Sequence, residues 1–191
     1  MKHLSMQFSK GYLLTQIAIT TLIAGLLFSS CQKEGLNTPA TAENLSASST
    51  SNPLTIYKGL AQQTMWELQQ ARAATAKYKD VKNAIADGYQ DIEVDVEHMG
   101  HHFMKVTAVD AVFEIREPEI LVYNKDENGN QTLVAVEYAV PLSNPRPEGF
   151  TGSHDVWDEN TGFGLWLQHA WVWAYNPDGV FNPTNPLVHL H

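Results

Sequence analysis

Cysteine is almost missing from this sequence. The single one, Cys31, has no partner, which excludes disulfides and cysteine-based structural metal sites. Any bound metal must be held by His and carboxylates. Basic residues are also scarce, with 12 Lys and Arg against 21 Asp and Glu. Nucleic-acid binders need clustered Lys and Arg to displace counterions, so this composition excludes them. No H-E-x-x-H, G-x-S-x-G or phosphate-binding Gly loop is present. No apolar run reaches the ~20 residues a spanning helix needs.

What is present begins with a leader. Lys2 and Lys10, with no acidic residue, precede an apolar segment over 17–28, then Ser29, Ser30 and Cys31. This order of charge, short apolar stretch and small residues predicts a secretory signal over 1–30. The small residues before Cys31 resemble the lipobox of bacterial lipoproteins, although Phe28 stands where Leu is usual. The resemblance implies that Cys31 is lipidated and anchors the mature chain in a membrane, which leaves no free thiol. Gln32, in place of Asp at the second mature position, points to the bacterial outer membrane rather than the inner one. Lys33-Glu34 also resembles export signals of surface lipoproteins, so the periplasmic and cell-surface leaflets both stay open. Without the leader, ten basic and 21 acidic residues give a net charge near −11 with His neutral. Cationic ligands, metals included, are favoured by that field.

Residues 31–53 are rich in Ser, Thr, Asn, Ala and Pro and read as a lipidated Cys followed by a flexible tether. One globular domain is expected over 54–191. Between Leu54 and Tyr89, Ile56, Leu60, Thr64, Leu68 and Ala71 recur at helical spacing. A second helix is expected from Asp80, as its cap, to Ala86, with Gly88 as its stop. Met65, Trp66 and Tyr78 read as core contacts. Residues 91–97 alternate strictly, which predicts a half-buried strand with Ile92, Val94 and Val96 inward and four carboxylates outward. Residues 119–123 and 132–140, joined by a polar turn containing Asn128-Gly129, predict a β-hairpin bounded by Pro118 and Pro141. A long loop over 141–163 reads as a lid. The last strand, 165–175, carries Trp166, Trp171 and Trp173, which read either as core or as a platform for a small ligand.

The chemistry centres on histidine. Three of the seven histidines outside the leader, His98, His101 and His102, fall within five positions. Neutral imidazole is the commonest metal ligand. Glu137 lies in a strand apolar on both faces, sharing one with Leu133, Ala135 and Ala139; an unpaired buried carboxylate is costly and calls for a partner. Candidate partners are Arg116, Arg146, a histidine or a metal. His169 shares its strand face with Leu167, Trp171 and Trp173. A single His on such a face is commonly a satisfied core residue, and Glu137 is equally consistent with a structural pair. His189 and His191, near the chain end, read as incidental, and His154 as a solvent-facing loop residue.

The stretches Gly88-Tyr89, 99–103 (Met-Gly-His-His-Phe), 118–123 (Pro-Glu-Ile-Leu-Val-Tyr) and 136–138 (Val-Glu-Tyr) recur together with 169–173 (His-Ala-Trp-Val-Trp) and 176–181 (Asn-Pro-Asp-Gly-Val-Phe). In combination they resemble a family of uncharacterised secreted bacterial proteins, over roughly residues 60–187. The resemblance implies that His102, Glu137 and His169 are the polar positions that recur, with His98 and His101 more variable. It brings no activity.

The expected fold is α+β: an N-terminal helical segment packed on a mainly antiparallel sheet, with a small open barrel as its variant. Three functions are open. The first is a lipid-anchored metal-binding protein with His102, Glu137 and His169 as ligands, His98 or His101 as a further group, and zinc or copper ahead of iron as the ion. The second is a metal-dependent enzyme of unknown reaction at the same site. The third is a binding or scaffold module without metal.

Overall fold

Helix α1 spans Gln62–Thr75, and its buried side chains, Thr64, Glu67, Leu68, Ala71 and Thr75, follow the three-to-four spacing of one helical stripe. The structure, a computed structural model, describes residues 52–191. The leader, Cys31 and nearly all of the tether lie outside the described residues. Helical pattern does not extend back to Leu54: Pro53–Ile56 form only a 3-10 turn. After a second such turn, helix α2 spans Val81–Ala86, capped by Asp80, whose carboxylate accepts from the Lys82 amide at 3.0 Å. Gly88, at φ 95, ends it, and the Tyr89 amide returns to the Ala84 carbonyl. Tyr78 is core as expected, but Trp66 is 55% exposed. It occupies the helix side away from the sheet. Among the described residues no helix is long and apolar enough to cross a membrane.

Six antiparallel strands follow: β1 (Gln90–Val96), β2 (Gly100–Met104), β3 (Ile120–Lys125), β4 (Gln131–Pro141), β5 (Asp158–Asn160) and β6 (Leu165–Ala170), in the order β1-β2-β3-β4-β6-β5. The expected hairpin is β3–β4. One face of the sheet packs on α1 through Phe103, Leu121, Tyr123, Leu133, Val136 and Tyr138. The other carries Ile120, Val122, Ala135, Ala139, Leu165 and Trp171. Residues of β1 and β5, the two opposite edges, line the same cavity on this second face, because the sheet curls into a half-barrel around it. Among the described residues the α+β architecture with an open small barrel is therefore as the pattern implied.

Two bulges depart from strict alternation. In β4, Val122 pairs with Ala135 but Tyr123 pairs with Leu133, so Val134 is extra. Leu133 thereby moves to the helix face, opposite Glu137, contrary to the shared face the alternation predicted. The carbonyl of Val134 accepts from the amides of Trp173 and Ala174. That contact belongs to the second correction: β6 stops at Ala170, not Tyr175. Past it the chain wraps back over β4, so Trp173 packs with the helix-face core while Trp171 stays with the other. In β1, pairing jumps from Asp91–Phe103 to Asp95–His101, and Glu93 adopts φ 56 within the bulge. Ile92, Val94 and Val96 consequently line the cavity half-buried or exposed instead of entering a closed core.

Candidate metal centre

Three strands bring together the three polar residues that had no cheap reason to be buried. Glu137 on β4 and His169 on β6 are directly paired across the strands. His102 comes from β2, and alternation along that short strand sends it to the concave face while His101 and Phe103 turn to the other. Curvature of the sheet lets His102 reach across β3. One ligand atom from each of the three lies within 4.8 Å of the others, and all three side chains are buried. Glu137 Oε1 is 3.4 Å from His169 Nδ1, and Oε2 is 3.7 Å from His102 Nε2. The two imidazoles stand edge to face, 6.0 Å between centroids. These residues are placed so that they can hold a metal ion.

Each histidine is oriented by a neighbour. Nδ1 of His102 is 2.9 Å from the Val94 carbonyl, which only accepts, so Nδ1 carries the proton and the Nε2 lone pair faces Glu137. The β1 bulge is what takes Val94 out of register and offers that carbonyl. His169 stacks on Trp171 at 5.8 Å and 14° between planes, and turns its Nδ1 toward Glu137. Position 100 contributes as glycine: it sits at φ 112, and a Cβ there would lie 2.6 Å from the Tyr123 carbonyl oxygen.

The contacts are not ion pairs. Burial pushes the Glu137 carboxyl up to about 8, with a smaller push from Asp158. Burial likewise lowers His169 to about 3, aided by His102, and lowers His102 despite the Val94 hydrogen bond. Without a cation the group is a neutral acid beside two neutral imidazoles. A divalent ion reverses this preference, since its charge favours the carboxylate.

The remaining candidates lie elsewhere. His101 turns to the opposite face, where both ring nitrogens meet carboxylates of β1, Nε2 3.0 Å from Asp91 and Nδ1 hydrogen-bonded to Asp95. The acidic residues of β1 thus clamp the bulge, and His101 is not a ligand of the group. His98, in the β1–β2 turn, is half-buried and bonds the Val188 carbonyl at 3.1 Å. It joins Glu97 and His189 in a second, more exposed group. His189, read as incidental, is therefore placed by the tail; its H-x-H spacing was the available signal. His154 is exposed. Arg116 and Arg146 do not meet Glu137, whose partners are the two histidines.

Glu119, like Glu67 on α1, is a buried carboxyl that sequence reasoning missed. It is 2% exposed, accepts from the Ala139 amide at 2.9 Å, and is pushed up to about 8 by burial. Its signal was a lone acid between Pro118 and an apolar strand. It precedes β3 outside the three-residue group.

A cavity of about 110 Å³ opens beside that group, walled by Ile92, Val94, Met99, Met104, Ile120 and Leu167. The loop expected to serve as a lid is fastened elsewhere. Glu67 on α1 accepts from the Thr151 amide at 2.7 Å and its hydroxyl at 2.6 Å, and Phe150 is buried in the helix-face core. Only Asp158, Asn160 and Phe163, at the loop's far end, reach the cavity. The tryptophans do not form an open platform: Trp171 is fully buried, and Trp173 is covered by Arg72 and Lys79. No family model matches the chain, and no curated protein or solved structure matches it either.

Proposed function

We propose that this protein is a lipid-anchored, extracytoplasmic metal-binding protein whose ligands are His102, Glu137 and His169. The observation that carries this reading is the spacing of three buried side chains on an apolar wall. The 3.4 and 3.7 Å separations are too long for good hydrogen bonds. A cation between these side chains would meet a nitrogen of each histidine and the Glu137 carboxylate. Two imidazoles and one carboxylate favour zinc, with copper next and iron as the two-His, one-carboxylate alternative. The anchor rests on the leader and Cys31, and places the protein at the bacterial outer membrane.

The test is metal analysis of protein purified without a His tag, in wild type and in the His102→Ala and His169→Ala variants. The reading predicts about one equivalent of tightly held metal that survives desalting in wild type and its loss in both variants. Unchanged metal content in both would refute it. Globomycin-sensitive acylation of Cys31, lost in Cys31→Ser, tests the anchor separately.

A second reading, a metal-dependent enzyme, is favoured by one feature. Three protein ligands leave a tetrahedral ion one free position, and the group borders a cavity. An ion there would activate water. Chelator-sensitive turnover in hydrolase or oxygenase assays, lost in Glu137→Gln, would support it; metal binding with no turnover would leave the binding protein alone.

A further inference from the structure

We infer that Glu97, His98 and His189 form a second, surface site for a divalent cation of the zinc or copper class, at the rim of the cavity that holds the buried group. One ligand atom from each lies within 4.8 Å of the other two. The donor set, two imidazoles and one carboxylate, repeats that of the buried group in an exposed setting, so the remaining coordination positions would be filled by water.

Three features distinguish this cluster from a chance meeting of surface side chains. Nδ1 of His189 and Nδ1 of His98 lie 3.1 and 3.7 Å from the same carboxylate oxygen, Glu97 Oε1, so both rings turn that nitrogen toward one point. Nδ1 of His98 also lies 3.1 Å from the Val188 carbonyl, a contact that holds the ring against the tail and that an ion would replace. The other carboxylate oxygen, Oε2, accepts from the Leu190 amide at 3.1 Å, so Glu97 is held before any ion arrives. The two rings stand edge to face at 5.3 Å, not stacked flat against each other. His98 also adopts φ 66, a conformation in which Gly or Asn is usual. The tail supports that turn directly, since the Asn185 amide donates to the His98 carbonyl at 2.7 Å.

The location gives the site a consequence. Val96 and Met99, on either side of Glu97 and His98, line the buried cavity, as does Pro183 of the tail. An ion held by Glu97, His98 and His189 would cross-link turn and tail at one wall of that cavity. Because the donors are exposed, exchange should be faster and affinity weaker than at the buried group. Ligand removal here does not touch His102, Glu137 or His169.

The experiment is a zinc titration of the full, tag-free, detergent-solubilised protein, followed by calorimetry. His189→Ala, Glu97→Gln and His169→Ala are compared with wild type. Two equivalents are expected in wild type. The weaker one should weaken at least tenfold in His189→Ala and in Glu97→Gln while the tighter one is unchanged; His169→Ala should do the reverse. One equivalent that survives both His189→Ala and Glu97→Gln overturns the inference and leaves the buried site standing. One equivalent that survives His169→Ala but is lost in His189→Ala supports the inference and removes the buried site. No zinc bound by folded wild type overturns both.

Discussion

The burial of Glu137 makes metal binding a proton-release reaction with a particular pH profile. In the metal-free protein its carboxyl sits at about 8, against an ordinary value of 4.5. Ionising it there without a cation therefore costs about 5 kcal/mol more than ionising the same carboxyl in water, which the ion must offset. At pH 7 the carboxyl is about nine-tenths protonated and at pH 8 about half, so binding should release about 0.9 and 0.5 proton from this group. His169, lowered to about 3, is already neutral at these pH values and adds nothing. Zinc calorimetry in buffers of different ionisation enthalpy measures the release directly. It is best done in the His189→Ala background, which removes the rim cluster. A metal-bound water also loses a proton, so the carboxyl is assigned by difference infrared spectroscopy. A protonated-carboxyl band should vanish on zinc addition at pH 7 and be missing from Glu137→Gln. If no such band is lost, or if affinity does not rise about tenfold per pH unit below 8, the buried-acid account is refuted.

Three further outcomes follow from named contacts. Between pH 6.5 and 7.5, Glu137 and Glu119, both raised by burial to about 8, are mostly protonated in the folded protein and ionised in the unfolded chain. Metal-free stability should therefore fall with rising pH, by about 1.4 kcal/mol per unit for each carboxyl, and urea titrations of Glu137→Gln should show about half the wild-type slope. Below pH 6.5 the depressed His169 opposes this, because stability is lost as pH falls toward 3, so the curve should flatten there. Gly100→Ala would force a Cβ against the Tyr123 carbonyl at φ 112 and should lower stability by about 3 kcal/mol or more, read as a fall in Tm. Burial pushes the Glu67 carboxyl up, but hydrogen bonds from Thr151 and Gln63 outweigh it and hold it below the usual range. Glu67→Ala should release the loop, seen as faster amide hydrogen exchange at Thr151 with little change in zinc binding.

Legibility in the sequence followed how local each cause was. The β3–β4 hairpin and the α2 cap were readable because Asn128-Gly129, Asp80 and Gly88 act within a few residues of themselves. Glu137 and His169 were readable because a lone polar side chain in an apolar strand must find a partner, and here they find each other across adjacent strands. His102 could be singled out from its two neighbours by alternation only once the strand was known to begin at Gly100, which is why His98 and His101 remained candidates. The bulges were not readable. At Val134 the extra residue is stabilised by amides of Trp173 and Ala174, some 40 residues on, and at Glu93 the strand is held open by His101 reaching Asp91 and Asp95. Those non-local contacts matter chemically as well as geometrically. The Glu93 bulge presents the Val94 carbonyl that fixes the His102 tautomer, and the same distortion recruits His101 as a clamp on the outer side of β2. Adjacent histidines on one strand therefore do opposite jobs. The outer one holds the backbone in the shape that lets the inner one aim a lone pair at Glu137.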